Sequence, residues 1–221
     1  MSLVVVGTDT EVGKTVVSAV LLARYGRRHR LAYWKPVATG AAEERDADRV
    51  KRWVGHLVDI LPETYLFDPP LSPHLAARLS RETINPERIL EDLLLHGVAD
   101  TRRNLVIEGI GGLLVPLTDD GYLLMHLLKE LHLPCLLVAR STLGTINHTL
   151  LSLEAVRSRH LDLVGVVLSG PRNKENRAAI ERFGDVEIIA EVEPIARLGA
   201  KSIARAARKF DRRARLKRYF E

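Results

Sequence analysis

The chain has 221 residues, 46% of them hydrophobic and 28% charged, enough apolar material for one α/β domain with a complete core and too little for a second independent one. No apolar run is long enough to span a membrane, and residues 1–6 lack the length and charge of a signal peptide, so a soluble cytoplasmic protein is expected. A single cysteine, Cys135, excludes an intrachain disulfide and a multi-cysteine metal site; within the apolar run 134–139 it reads as a small buried hydrophobe.

In chain order, apolar residues 3–6 predict a first buried strand. It leads into residues 7–15, Gly-Thr-Asp-Thr-Glu-Val-Gly-Lys-Thr, which satisfy GxxxxGK[ST]. The physical reason for this order is that the strand delivers the chain and the glycines let backbone amides approach phosphate oxygens. A helix opening near Gly13 then directs its positive end at the anion. A nucleoside triphosphate is the expected ligand, with Lys14 reaching the β- and γ-phosphates and the Thr15 hydroxyl placed to ligate Mg²⁺. A helix over 14–27 and a strand over 31–33 follow. Lys35-Pro36-Val37-Ala38-Thr39-Gly40 then sets a cation and a hydroxyl at the same sheet edge, a pair suited to an anionic substrate. Residues 46–56 predict a helix, and Asp68-Pro69-Pro70-Leu71-Ser72-Pro73 reads as a rigid turn that walls the site. Asn85-Pro86 reads as a cap and the first position of a helix over 86–97.

A strand at 105–107 ends in Glu108-Gly109-Ile110-Gly111-Gly112 and places a carboxylate where a direct or outer Mg²⁺ ligand would sit. A buried acid is costly unless paired or metal-bound, which favours a functional role for Glu108. Helices over 122–131, 145–159 and 174–183 alternate with strands over 134–139, 163–168 and 186–190. The alternation implies an α/β fold of P-loop NTPase type: a doubly wound, mainly parallel sheet with helices on both faces and ligands beyond the carboxyl ends of its strands. Residues 1–221 read as one such domain with a basic helical tail at about 197–221. Residues 201–221 hold nine Lys/Arg against two acids, a net of +7 within the chain's +5. Ile203, Ala206, Ala207, Phe210 and Ala214 recur at helical spacing, which describes an amphipathic helix docked by its apolar face with its charges in water. Nucleic-acid or membrane binding is the alternative use of such a tail, and the scarcity of aromatic side chains among its charges favours the solvated face.

Residues 7–15, 35–40, Ser72-Pro73-His74, 108–112 with Pro116-Leu117, and Leu143-Gly144-Thr145-Ile146-Asn147-His148 together resemble the ordered signature of the dethiobiotin synthetases, over most of the chain from residue 3 to about residue 168. The resemblance implies a homodimeric P-loop enzyme of biotin synthesis that closes the ureido ring of dethiobiotin from 7,8-diaminononanoate, CO₂ (or bicarbonate) and MgATP, with no nucleic-acid or membrane partner. One amine captures CO₂ as a carbamate, the carbamate attacks the γ-phosphate, and the second amine displaces phosphate from the mixed anhydride. No side-chain nucleophile is needed, so neither Cys135 nor Ser141 is given a role.

The resemblance further implies that Thr10, Glu11, Val12, Gly13, Lys14 and Thr15 bind the triphosphate, and that Ser169, Gly170, Val192, Glu193 and Pro194 bind the rest of the nucleotide. Lys14 and Lys35 would be the catalytic cations. Thr39 would hydrogen-bond the amino or carbamate end, and Ile110, Gly111 and Gly112 would line the same pocket. Thr15, Glu108 and an aspartate would hold Mg²⁺; Asp46, which opens a helix and precedes an alanine, matches the family better than its alternative, Asp48. Gly144, Thr145 and Asn147 would hold the substrate carboxylate across a dimer interface, whereas a purely structural role would have Asn147 cap the helix over 145–159. The chain departs from the family at Ile110, where a small residue is usual. It departs again in the segment Leu168-Ser169-Gly170-Pro171-Arg172-Asn173, where many relatives carry an asparagine whose amide a serine cannot reproduce, which puts adenine selectivity in question. A ParA- or MinD-like switch ATPase is the rival reading, and it would use the tail on DNA or membrane. Its P-loop carries an early lysine where this chain has Thr8. A cobyrinate-type amidoligase would need a glutaminase domain for which 221 residues leave no room.

Overall fold

The computed structural model describes residues 2–42, 44–97 and 103–221. The described residues form nine strands: β1 (Leu3–Gly7), β2 (Leu31–Trp34), β3 (Val37–Thr39), β4 (Asp59–Ile60), β5 (Tyr65–Phe67), β6 (Asn104–Gly112), β7 (Cys135–Arg140), β8 (Leu163–Ser169) and β9 (Ile188–Val192). The helices are α1 (Lys14–His29), α2 (Asp46–Val54), α3 (Pro73–Leu79), α4 (Pro86–Gly97), α5 (Leu124–Leu131), α6 (Thr145–Ser158), α7 (Lys174–Gly184) and α8 (Ala200–Lys209). Seven strands form one sheet in the order β4-β2-β6-β1-β7-β8-β9, with parallel pairing throughout. The short strands β3 and β5 pair in parallel outside it. The doubly wound parallel sheet expected from the alternating pattern is the fold observed.

Strand β1 has no exposed position because both faces of a parallel sheet are covered. Its side chains alternate between two cores: Leu3 and Val5 meet Val17, Val20 and Leu21 of α1, Val50 and Trp53 of α2, and Ile203 of α8. Val4 and Val6 meet the other core, with Ile89 of α4, Leu127 and Leu128 of α5, Leu153 of α6 and Ile180 of α7. Cys135 is buried in that second core, and burial pushes its thiol up to about 12, so it behaves as the inert apolar residue expected. Among the described residues no helix is long and apolar enough to cross a membrane.

Several elements differ from the sequence expectation. Strands β3, β4 and β5 have two or three residues each, too few for a two-residue period to emerge. The proline-rich turn at 68–73 does not end as a turn: Pro73 is the first residue of α3, where its missing N–H costs nothing. Helix α5 begins at Leu124 rather than residue 122, because Leu123 bridges to Pro116 in extended conformation.

The tail also departs from a continuous amphipathic helix. Ile203 and Ala207 are buried as expected, but α8 stops at Lys209, and Ala214 is exposed with a left-handed backbone. Aromatic burial and one carboxylate win over periodicity here. Phe210 turns into extended conformation with its ring in the core, and the buried Asp211 accepts from the Tyr25 hydroxyl of α1 at 2.7 Å and from the Arg215 and Leu216 amides at 2.9 and 2.8 Å. The Phe220 ring then packs on Tyr25 at a centroid distance of 5.5 Å. Removing one partner of a buried carboxylate costs about 1.5–3 kcal/mol, so Tyr25→Phe is expected to lower the urea midpoint by that equivalent. An unchanged midpoint would show that the Tyr25 hydroxyl contributes nothing to holding the tail.

Candidate active site

The phosphate loop follows from the position of β1 at the middle of the sheet, between β6 and β7. At the carboxyl edge Gly7 registers with Gly112, so the loop and the Glu108–Gly112 segment lie side by side. A side chain at Gly7 would lie 2.9 Å from the Asp9 carbonyl and from Val12, so only glycine lets the loop fold back this tightly. Glu11 (φ 54°) and Gly13 (φ 96°) are both left-handed, which turns successive amides inward as an anion nest. Helix α1 has no side-chain cap, leaving its first amides open to phosphate oxygens.

Lys14 lies over this nest, almost wholly buried. Its Nζ donates to the carbonyls of Asp9 at 2.8 Å and Gly111 at 2.9 Å. Burial lowers its ammonium to about 8; Lys35 acts in the same direction, and the Glu108, Asp46 and Asp9 carboxylates oppose it.

Next to Lys14 the Thr15 hydroxyl lies 2.8 Å from Glu108 Oε1 and 3.0 Å from Asp46 Oδ1. Lys35, 5% exposed, is ion-paired with Asp46 and stands 3.2 Å from Glu108, which is 1% exposed. Burial works against the Lys35 charge, but the two carboxylates outweigh it and hold its pKa above the ordinary value. Burial likewise disfavours the Asp46 carboxylate, and Lys35 reverses the balance so that its pKa falls below the usual range. Asp48 does not reach the cluster: it is ion-paired with Arg45 at 2.7 Å, two residues past the aspartate that opens α2.

Three hard oxygen donors, from Thr15, Asp46 and Glu108, therefore converge beside the phosphate nest and could hold Mg²⁺, which binds through one or two carboxylates and takes its other ligands from phosphates and water. Among the described residues no group of three or more His, Cys, Asp or Glu could hold a metal by itself.

A cavity of about 700 Å³ opens here. It brings together Thr10, Glu11, Gly13, Lys14, Thr15, Lys35, Thr39, Asp46, Glu108, Ile110 and Gly111, with Pro70 of the proline-rich turn as one wall. Val12 is buried inside the loop, and Gly112 packs under the Thr8 carbonyl. A side chain at Gly13 would overlap the Ser169 hydroxyl, so the end of β8, with Gly170 next in sequence, closes against the loop. Val192, Glu193 and Pro194 line a different cavity, beyond β9.

Gly144, Thr145 and Asn147 do not line the nucleotide cavity of their own chain. Gly144 is the residue that opens α6, and both polar groups of Thr145 are used within the loop: its amide donates to Thr142 at 3.1 Å and its hydroxyl to Arg140. Asn147 is exposed, has no side-chain hydrogen bond among the described residues and does not cap α6.

Sequence reasoning missed Tyr33, whose hydroxyl donates to Glu108 Oε2 at 2.9 Å. Its only signal was a phenol inside an otherwise apolar strand. Partners that orient a ligating carboxylate are worth 10–100-fold, so Tyr33→Phe is expected to lower turnover about tenfold at limiting Mg²⁺ with the fold retained. Turnover equal to wild type at every Mg²⁺ concentration would deny it that role. Also missed were Arg45, Arg49 and Arg52, which line the cavity from the α2 side, and the Arg140–Asp9 ion pair of 2.8 Å that braces the phosphate loop.

A phosphate nest on a central parallel strand, a buried lysine over it and a hydroxyl–carboxylate cluster at the neighbouring strand end define a P-loop nucleoside-triphosphate-binding protein. In agreement, residues 1–202 match the family described as an AAA domain. The ATP-dependent dethiobiotin synthetase of Paramagnetospirillum magneticum is 43% identical over 200 residues, covering 90% of this chain and 91% of that one. Its counterpart in Brucella ovis is 46% identical over 186 residues, covering 84% and 82%. The chain belongs to the dethiobiotin synthetase family. Solved structures with the same fold include a ParA family ATPase from Chlorobium tepidum (TM-score 0.56, 12% identity, 93% of this chain and 97% of that one) and the Pyrococcus furiosus cell division ATPase MinD (TM-score 0.53, 16% identity, 94% and 97%). At these identities the likeness is one of fold, and the switch-ATPase reading receives no further support from it.

Proposed function

We propose that this chain is the dethiobiotin synthetase of a cytoplasmic biotin pathway, forming dethiobiotin, ADP and phosphate from 7,8-diaminononanoate, CO₂ and ATP. The observation that carries the reading is the convergence of Lys14, Lys35, Thr15, Asp46 and Glu108 at one end of a single cavity. Thr39, Ile110 and Gly111 also line it, and an extended diamine would lie along them beside the γ-phosphate. The substrate supplies its own nucleophiles, so the protein's task is positioning and electrostatic stabilisation. Lys14 would move from its two carbonyl acceptors to the β- and γ-phosphates, where negative charge offsets its burial. Lys35, buried between two carboxylates, is fixed where charge grows on the carbamate and the transferring phosphoryl oxygens. Thr39 would donate to or accept from the amine or carbamate end. Mg²⁺, held by Thr15, Asp46 and Glu108, would neutralise the β- and γ-phosphate oxygens.

A homodimer completes the site in this reading. Leu143 is 98% exposed and Leu151 of α6 is also exposed, an apolar pair beside the uncommitted Asn147 side chain. The amides of Ile146 and Asn147 in the first turn of α6, with the Asn147 side chain, would then face the carboxylate of a substrate held on the P-loop of a second copy.

Phosphate release from MgATP is expected only when diaminononanoate and bicarbonate are both present. Release that continues at full rate without the diamine would favour a switch ATPase instead. Asp46→Asn is expected to raise the Mg²⁺ concentration needed for half-maximal rate, and Asp48→Asn to leave it unchanged. The reverse pattern would move the metal site to Asp48.

A further inference from the structure

Beyond β9, the last strand of the sheet, lies a second cavity of about 750 Å³, distinct from the cavity over the phosphate loop and touching at one end Val192, Glu193 and Pro194, which the family resemblance gives to the nucleotide. Its floor is β9 and the segment that follows, and its wall is α8 with the turn after it. Each of the five acids on this surface is already committed. Glu193 pairs with Arg172 at 3.0 Å, Glu181 and Glu191 pair with Arg177 at 3.0 Å, Glu187 pairs with Arg215, and Asp211 turns inward to Tyr25 and two amides. The remaining cations, Arg197, Arg205, Lys209, Arg212 and Arg213, line the same cavity, and none has an ion-pair partner among the described residues.

Five positive groups around one concavity repel each other and raise the local potential, and a concave wall focuses that field. Solvation alone would be better served by spreading them over the convex surface. Four of the five are guanidinium groups, whose planar forks suit phosphate and carboxylate oxygens. The volume is that of a small-molecule site, and Ile195, Ala196 and Ala206 add an apolar strip for a short carbon skeleton. We propose that the basic part of this groove, lined by Arg197, Arg205, Lys209, Arg212 and Arg213, binds a compact, multiply charged anion, a polyphosphate or a polycarboxylate.

The test titrates inorganic tripolyphosphate and, in a parallel arm, citrate into the full-length Lys14→Ala protein without Mg²⁺, where the phosphate loop has lost its cation. At least one of the two is expected to bind with one anion per chain and to weaken as salt is raised; which one binds identifies the anionic group. Arg205→Ala/Arg212→Ala in the same background should lower that affinity at least tenfold. Arg27→Ala/Arg28→Ala, an equal loss of charge from the exposed end of α1, should leave it unchanged. All four side chains are exposed, so the fold is not at stake. Failure of both anions to bind, or an equal effect of the two variant pairs, would overturn the proposal.

Discussion

Lys35→Ala is expected to lower dethiobiotin formation by roughly 10² or more, the scale of losing one preorganised donor to a developing charge. Nucleotide binding should largely survive, because Lys35 touches Asp46 and Glu108 and not the phosphate nest. Lys14→Ala is expected to give a loss of the same size but to weaken nucleotide binding as well, since Lys14 closes the nest over Asp9 and Gly111. The split between the two variants in KM for ATP is the informative quantity. Removing Lys35 also leaves the buried Glu108 without its cation and the half-buried Asp46 with only Arg49, so its thermal midpoint should drop in the absence of nucleotide and recover partly with MgATP. Near-normal product formation by either variant would remove that lysine from the mechanism.

Mixing Lys14→Ala chains with Asn147→Ala chains is expected to restore activity that neither has alone. If each site joins one subunit's phosphate loop to the α6 loop of the other, a mixed dimer carries both lesions in one site and none in its second. Random exchange then yields roughly a quarter of wild-type turnover per chain, from half the dimers having one good site of two. Sites contained in one chain would each keep a lesion, and mixtures would stay inactive despite demonstrated exchange. The exposed Asn147 side chain, free of any capping bond, and the 98%-exposed Leu143 beside it motivate the shared arrangement.

The sheet was legible because a parallel strand buried on both faces is apolar at every position, as residues 3–6 and 134–139 are, and because GxxxxGK[ST] fixes the turn between the first strand and helix. Glu108 was legible for a different reason, since a carboxylate at the end of a buried strand is costly unless paired or metal-bound, whereas Asp46, one of two acids in the first turn of α2, was singled out only by the family resemblance. Elements and residues defined by tertiary contact were not legible. Strands β3 and β5 exist only because they pair with each other, α8 ends where Phe210 finds a core position, and Tyr33 matters only because β2 lies beside β6 and brings its hydroxyl to Glu108. The cations beyond β9 read as a solvated helix face in sequence, since Arg197 and Arg212 are brought to one cavity by the fold and not by spacing.

The fate of one carbon atom tests the proposed reaction most directly. With [¹³C]bicarbonate, diaminononanoate and MgATP, mass spectrometry is expected to show one ¹³C in each dethiobiotin formed and one ADP released per product, with no ADP when the diamine is omitted. ADP accumulating at an undiminished rate without labelled product would contradict it.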